Sequence, residues 1–434
     1  MSQFNDVLIV GGGLAGCEAA WQLASRGIKV TISEMRPRKM TPVHKGAGLA
    51  ELVCSNSLGS KDPNHANGIL KSELSKLDSL IIQAAKYAAV PAGQALAVDR
   101  DLFSSFIEEK LLNHPLVTIE RAEYTEIPQA RPLIIATGPM TSPELAESLR
   151  NITGDEYFYF YDAVSPVVSL ESIDMNRCFR ASRYDKGEAE YLNCPMTQEE
   201  YNIFLEALLN AEKIEDKDYE QKFFESCLPV EEIAARGKDT LRFGPMKPVG
   251  LPDPKTGNLS YAVVQLRQEN KEGTCYNLVG FQTRLKWNEQ KQVFSLIPAL
   301  KNAEFLRLGV MHRNIFLNAP KFMQKTGLFS PLENVFIAGQ LSGVEGYVES
   351  TASGLICGIN CAKLLKDKPL IEFPQETALG ALMNYIVSAD IKHFQPMNIN
   401  MGLFPPLEKK YKKKNERNEH IATRANEAFA KLQL

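Results

Sequence analysis

Apolar and polar positions over residues 1–35 fall into three consecutive pieces. The apolar run Val7–Val10 reads as a strand and passes without a break into Gly11, Gly12 and Gly13. LAGCEAAWQLASRG then reads as a helix, and IKVTIS as a second strand ending at the acid Glu34. The pattern predicts β–α–β. A second apolar run, Leu133–Ile135, leads into Ala136, Thr137 and Gly138. A third, in VFIAGQLSGVEGYVESTASGLICGINCAKLL, passes through a glycine-rich turn into another helix. Further helices are expected over Ser72–Tyr87 and Asp101–Asn113, with Ala47–Leu58 approaching a loop. From about residue 170 to 325 the pattern changes, mixing helices (Thr197–Ile214, Tyr219–Ser226) with strands (Tyr261–Leu266, Cys275–Phe281). The fold class expected is α/β, a Rossmann-like two-dinucleotide-binding domain carrying an inserted α+β domain. Its boundaries are expected at 1–170 and 326–434 for the first domain's two parts and 171–325 for the insertion.

The glycines carry the first chemistry. Gly11, Gly13 and Gly16, with Gly12, Leu14 and Ala15 between them, let the turn tighten, bring backbone N–H groups to a pyrophosphate, and let helix and strand pack closely. Glu34, about 20 residues on, is placed to accept hydrogen bonds from a ribose diol. Strand, helix, acid and N-terminal position coincide, so these residues are read as a nucleotide site. Thr137 and Gly138 follow the middle strand, and Gly339, Gln340, Gly343, Gly346 and Tyr347 follow the late one. Folds that hold FAD end in this way, with a second helix N-terminus approaching the pyrophosphate. Gly46 and Gly48 begin another glycine pattern, but Glu51 stands where its third glycine belongs. One FAD is expected, and no separate nicotinamide domain.

Composition changes this picture little. A chain of 434 residues, 44% hydrophobic and 23% charged, suits a globular protein of two or three domains. No apolar run approaches the ~20 residues of a membrane span, and Val7–Val10 is already a strand rather than part of a cleavable leader, so a cytoplasmic location is expected. The net charge of −3 means that a nucleic-acid partner must be held by local basic patches. Neither a membrane nor a DNA partner is expected.

The eight cysteines have neither disulfide-framework nor zinc-ligand spacing, and no metal is expected. Cys17, Cys357 and Cys361 read as core, and Cys178, Cys194 and Cys275 have no assigned partner. Cys54, in AELVCSNSLGSKDPN, and Cys227, in FFESCLPVEEIAARGKDTLRFGPMKPVG, each end an apolar stretch and enter a polar turn. An accessible thiol with a lowered pKa is a nucleophile. The aromatic run Tyr157–Tyr161 is read as a packed hinge rather than a stacking surface, because its rings cannot all share one strand face. The basic tract Lys409–Lys414 and the helix expected after it, to Gln433, read as a solvated face.

The segments ELVCSNSL, VPAGQALAVDR, YFYFYDAVSPVV, SRYDKGEAEYLNCPM, FGPMKPVGL, YAVVQLRQ, GFQTRLKW, GVMHRN and GQLSGVEGYVESTASGL span almost the whole chain. Together they resemble the folate- and FAD-dependent tRNA (uracil-5-)-methyltransferase family. Its glycine-rich parts are shared with the larger flavoprotein of tRNA wobble-uridine modification; the two cysteine segments and FGPMKPVG are specific to the smaller enzyme. The resemblance implies methylation of the T-loop uridine at tRNA position 54. It also implies 5,10-methylenetetrahydrofolate as carbon donor, FAD reduced by NAD(P)H as electron donor, and the tRNA T-arm as partner.

The chemistry agrees with that family. Uracil C5 is a poor nucleophile until a group adds at C6, a task suited to a thiolate, and a methylene group needs two electrons to become methyl. The resemblance implies that Cys227 engages the uracil and that Cys54 is the second thiol, removing the C5 proton; the motifs identify the pair more directly than the division of roles. His312 in GVMHRN is implied to stack on the folate ring, against the plainer reading of a hydrogen-bonded core histidine. Arg183, Lys186, Arg267, Arg284 and Lys286 are candidates for RNA phosphates or the folate tail, each also readable as an ion-pair partner. The uridine is expected to be extruded from its loop. Alternatives are the same chemistry on ribosomal RNA and a flavin oxidoreductase of a small molecule.

Overall fold

The computed structural model describes residues 6–128, 131–154, 158–163, 165–185, 190–214, 228–270, 273–309, 311–392, 394–409 and 411–432, with the backbone alone at 158–163, 185 and 311–313. Tyr157, Lys186, residues 219–226 and Cys227, all singled out above, lie outside the described residues, and so do the side chains of Phe158–Tyr161 and His312.

Five parallel strands form the first sheet, in the order Val335–Ile337, Leu133–Ile135, Asp6–Val10, Lys29–Ser33, Val117–Glu120. Apart from Asp6 at the start of the first strand, the three strands on the late-strand side are apolar and buried, as parallel strands covered on both faces must be. In register, Val10 lies beside Ser33 on one side and Ile135 on the other, and Ile135 beside Ile337. The carboxyl ends of four strands therefore finish together. In open α/β sheets ligands bind outside such ends.

The first helix, Leu14–Ala24, packs against the late helix Tyr347–Leu365 so closely that two glycines are required by space alone. A Cβ on Gly354 would lie 2.2 Å from the Ala15 carbonyl oxygen, and one on Gly358 would lie 2.8 Å from that of Ala19. Cys17, Cys357 and Cys361 are fully buried in this layer.

One predicted helix is two. Residues 66–76 and 80–87 are separate helices, with Asp78 in the left-handed region at φ +57°. The cause is long-range: buried Glu18 on the first helix accepts the Ser79 hydroxyl at 2.7 Å and the Ile81 N–H at 3.2 Å, while the Ser79 hydroxyl oxygen accepts from Ile82 N–H. These acceptors satisfy N–H groups that a new helix start leaves without intrahelical partners.

A six-stranded antiparallel sheet forms the second unit, in the order Phe179–Ala181, Tyr191–Met196, Ala262–Gln268, Cys275–Leu278, Val167–Ser169, Phe305–Arg307. Helices Gln198–Asn210 and Trp287–Phe294 cover it around Tyr201, Phe204, Phe281 and Phe294. The first of these helices begins with a reciprocal cap between Thr197 and Glu200. Strands Phe158–Ala163 and Met311–Phe316 pair antiparallel, with His312 opposite Asp162, on the two chain crossings between the units. The C-terminal helix is Lys414–Ala430.

Candidate active site

The first strand, the first helix and the late turn enclose a cavity of about 1040 Å³, including the space open to solvent. Gly11, Gly12, Gly13, Leu14, Ala15, Glu34, Thr137, Gly138, Gly339, Gln340 and Tyr347 all line it. Gly16, Gly343 and Gly346 do not. A Cβ on Gly16 would fall 1.9 Å from the Gly11 carbonyl oxygen, so this glycine closes the turn rather than facing a ligand. At Gly343 a Cβ would meet the Phe394 ring at 2.4 Å, and at Gly346 the Glu349 carboxylate at 2.2 Å. The first helix has Gly13 as N-cap, with no side chain over its first N–H groups. A glycine cradle, an uncapped helix N-terminus and a cavity of this size fit a dinucleotide pyrophosphate.

Glu34 directly follows the second strand, Lys29–Ser33. Its Oε2 accepts the Gly12 N–H at 2.9 Å, and its Oε1 accepts both the backbone N–H and the Nε of Arg36 at 3.0 Å. Burial alone would raise this carboxyl, but the hydrogen bonds and charge of Arg36 outweigh it and hold Glu34 below the usual range. A carboxylate has lone pairs beyond these three bonds, so it remains able to accept from a diol. Arg36 was not singled out from sequence. It is 2% exposed and also binds Glu51 at 2.9 Å and the carbonyls of Gly46 and Gly48. The aborted glycine motif at 46–51 is thus the receptor for this arginine, and the signal that could have found it is the acid Glu51 at a glycine position.

Cys54 lies half-buried on the loop leading to the short strand Ser57–Ser60. The Tyr347 hydroxyl accepts the N–H groups of Cys54 at 2.8 Å and Ser55 at 3.2 Å. The Cys54 carbonyl accepts Arg100 Nη2 at 3.2 Å and Arg307 Nη2 at 3.4 Å. Asn56 is fully buried, donating to the carbonyls of Val98 at 3.0 Å and Gln268 at 2.9 Å and accepting Arg267 Nε at 3.0 Å. The Cys54 loop is consequently bound by both units of the fold.

Cations dominate around the thiol. Arg100, Arg267 and Arg307 all interact electrostatically with Cys54, and Glu269 is the acid among them. Burial and then the neighbouring Arg100 charge push Arg307 down to about 10. Burial pushes Tyr347 up, and the charge of Cys54 adds to the effect. Beside the dinucleotide cavity, and sharing Val43 and Val53 with it, runs a groove of about 900 Å³ whose walls include Lys45, Lys291, Arg307 and Trp287. Trp287 is 62% exposed.

The remaining predicted residues divide. Arg267 belongs to the Cys54 surroundings. Arg183 instead fastens FGPMKPVG, donating to the carbonyls of Lys247 at 3.0 Å and Val249, and to Gln265 at 3.0 Å. Arg284 pairs with Glu232, and the exposed Lys286 with Glu212 at 2.5 Å. Leu228, the residue after Cys227, is buried, and the Val230 N–H donates to Gln282 at 2.7 Å. Among the described residues, no group of three or more His, Cys, Asp or Glu is arranged to hold a metal ion, and no helix is long and apolar enough to cross a membrane.

Residues 6–369 match the family model described as glucose inhibited division protein A. The methylenetetrahydrofolate–tRNA-(uracil-5-)-methyltransferase TrmFO of Bacillus cytotoxicus is 58% identical over 424 residues, 98% of each chain. That of Listeria monocytogenes serovar 1/2a is 56% identical over 429 residues, 99% of each. The chain belongs to the TrmFO family. Within that family the Heliobacterium modesticaldum protein is 56% identical over 427 residues, 98% of this chain and 97% of that one. Aquifex aeolicus GidA, in its form I crystal, shares the fold at a TM-score of 0.69 and 16% identity, covering 99% of this chain and 76% of that one. The shared fold accounts for the parallel sheet and its inserted unit.

Proposed function

We propose that this TrmFO-family chain methylates C5 of the T-loop uridine of tRNA, with 5,10-methylenetetrahydrofolate as one-carbon donor and NAD(P)H as the source of reducing equivalents. Bound in the glycine-lined cavity, reduced FAD supplies the two electrons that take a methylene to a methyl group. Gly11–Ala15 and the late turn at Gly339 and Gln340 hold its pyrophosphate, and Glu34 its ribose. With tRNA and folate as substrates, the activity belongs in the cytoplasm.

Cys227 adds through sulfur to uracil C6, which makes C5 nucleophilic toward the one-carbon unit. Cys54 accepts the proton that C5 then loses as tetrahydrofolate departs from the one-carbon unit, and two-electron reduction of the exocyclic methylene left on C5 expels the sulfur from C6 and restores the ring double bond. Placing Cys54 among Arg100, Arg267 and Arg307 favours its thiolate, the form that can accept a proton. The single observation that carries this reading is the double hydrogen bond from the Cys54 loop to Tyr347, because Tyr347 also walls the dinucleotide cavity. His312 is assigned to the folate ring, and Arg267 to the folate tail or an RNA phosphate. Lys186 and Lys286 are assigned to RNA phosphates or the folate tail, Arg183 and Arg284 being engaged within the protein, and RNA reaches the site along the groove bearing Trp287, Lys45 and Lys291. An exposed aromatic ring beside lysines is the character that single-stranded nucleic acid requires.

The test supplies the FAD-loaded protein with unmodified tRNA transcript, methylenetetrahydrofolate labelled in its one-carbon unit and NADPH. Labelled 5-methyluridine in the T-loop is expected. Label that appears only with ribosomal RNA would change the substrate, and label with neither RNA would overturn the reading.

A further inference from the structure

Arg100 and Glu269 meet at the Cys54 loop from opposite units of the fold. Arg100 begins the helix Arg100–Leu112 of the dinucleotide-binding unit, and Glu269 directly follows the inserted sheet's strand Ala262–Gln268. Their pairing is forked, with Arg100 Nε donating to Glu269 Oε2 at 2.8 Å and Nη2 to Oε1 at 3.4 Å. Asn277 holds the same acid from its own sheet, its Nδ2 donating to Oε1 at 2.6 Å. Two further hydrogens of the guanidinium go to the loop itself, to the carbonyl oxygens of Leu52 and Cys54. One planar group thus grips the backbone on both sides of Val53 and an acid of the other unit at once.

We propose that the Arg100–Glu269 pair is a positioning device for the reactive thiol, setting the Cys54 loop in register with the inserted unit while Glu269 offsets the surplus of positive charge around it. The proposal rests on the reading of Cys54 as a thiol of the reaction. Three features support it. A buried ion pair adds little net stability over a well-packed apolar pair, so stability alone does not account for one here. Arginine is the side chain whose rigid fork can serve an acid and two carbonyls together, which the point charge of lysine cannot. Finally, Glu269 interacts with each of Arg100, Arg267 and Arg307, the same three cations that interact with Cys54.

The two substitutions Arg100→Lys and Glu269→Gln separate geometry from charge. Both are made in the FAD-loaded full chain, with Cys54→Ala beside them. Alkylation of Cys54 by iodoacetamide is followed against pH by peptide mass spectrometry, and kcat and KM are measured for methyl transfer to tRNA transcript. Both variants are expected to keep FAD and to melt within a few degrees of the parent. Both should lose about tenfold or more in kcat with KM for tRNA unchanged, because small misplacements of a reacting group cost rate rather than binding. In Glu269→Gln the alkylation curve should also move to lower pH, since nothing then offsets the three guanidinium charges; in Arg100→Lys, which keeps its charge, the curve should stay in place.

Unchanged kcat in both variants, or loss of FAD and early melting in both, would overturn the proposal, the latter by making the pair a structural brace. If Glu269→Gln alone fails to fold, the kcat and KM of Arg100→Lys decide. If Cys54→Ala still methylates, the reading of the thiol fails separately; the Glu269→Gln alkylation curve then decides whether the pair governs the Cys54 setting, a shift supporting this and no shift overturning it.

Discussion

The Tyr347 hydroxyl accepts the Cys54 N–H at 2.8 Å, joining the first turn of the late helix to a loop 293 residues earlier in the chain. One phenol therefore walls the dinucleotide cavity and anchors the thiol loop. Tyr347→Phe leaves the N–H groups of Cys54 and Ser55 without this acceptor, at about 1–3 kcal/mol for each one that stays buried. We expect FAD to stay bound while methyl transfer falls by at least about tenfold. Flavin absorbance and turnover, measured on one preparation, check both halves.

Cys54→Ala and Cys227→Ala should each abolish methylation while the protein remains yellow. A flavin oxidoreductase of small molecules would keep its turnover in both variants. Product analysis of digested tRNA distinguishes the outcomes.

Gly354→Ala places a methyl carbon only 2.2 Å from the Ala15 carbonyl oxygen. The two helices that follow the cavity-lining turns must then separate, and overpacking of this kind costs about 1–3 kcal/mol. We expect a lower melting temperature and earlier release of FAD on heating, with flavin fluorescence as the readout. An unchanged release temperature would mean that the helix contact yields without disturbing the cavity.

Burial pushes the carboxyls of Glu18, Glu73 and Glu349 up to about 7 each. The unfolded chain loses these protons near the ordinary glutamate value of about 4.3. Between about pH 4.3 and 7 the folded state therefore holds more protons than the unfolded state, and these groups make stability decline as pH rises through that window. Glu34 and Glu269, held below the usual range, act in the opposite sense, their contribution being lost only as pH falls below it. Calorimetric scans should give a higher melting temperature at pH 5 than at pH 8, and Glu349→Gln should shrink the difference. An equal difference in the variant would remove Glu349 from this account.

RNA affinity should fall steeply with salt, because each phosphate neutralised releases counterions. Trp287→Ala should weaken binding by about 1–3 kcal/mol, the worth of one stacked base, and Lys286→Gln should lower the salt slope by about one phosphate. Equilibrium binding titrations at three salt concentrations check both. If the tryptophan variant binds as tightly as the parent, the groove is not the RNA path.

How much was legible in advance differs between the two halves of the site. Gly11, Gly12, Gly13, Glu34 and the strands around them were read directly, because a strand–turn–helix places its ligand groups within a few residues of one another and local spacing encodes them. The turn at Gly339 is legible by the same logic, which also offers Gly343 and Gly346; in the structure these two stay outside the cavity lining, and their missing side chains leave room for Phe394 and Glu349. Spacing shows that a glycine is needed; it does not show which neighbour needs it.

Sequence by itself determined the parallel sheet, the dinucleotide turn, the cysteine candidates and the family, all of which follow from contiguous patterns. Tertiary structure alone decided that Glu18 breaks the helix at Asp78, that Arg36 is received by Glu51, that Arg100, Arg307 and Tyr347 bind the backbone of Cys54, and that Asn56 and Glu269 tie the same loop to the inserted unit. Each of these rests on hydrogen bonds or ion pairs between residues separated in the chain, satisfied because folding brings both partners together. Buried polar groups must find partners, and which partner is available is fixed by how the two units pack.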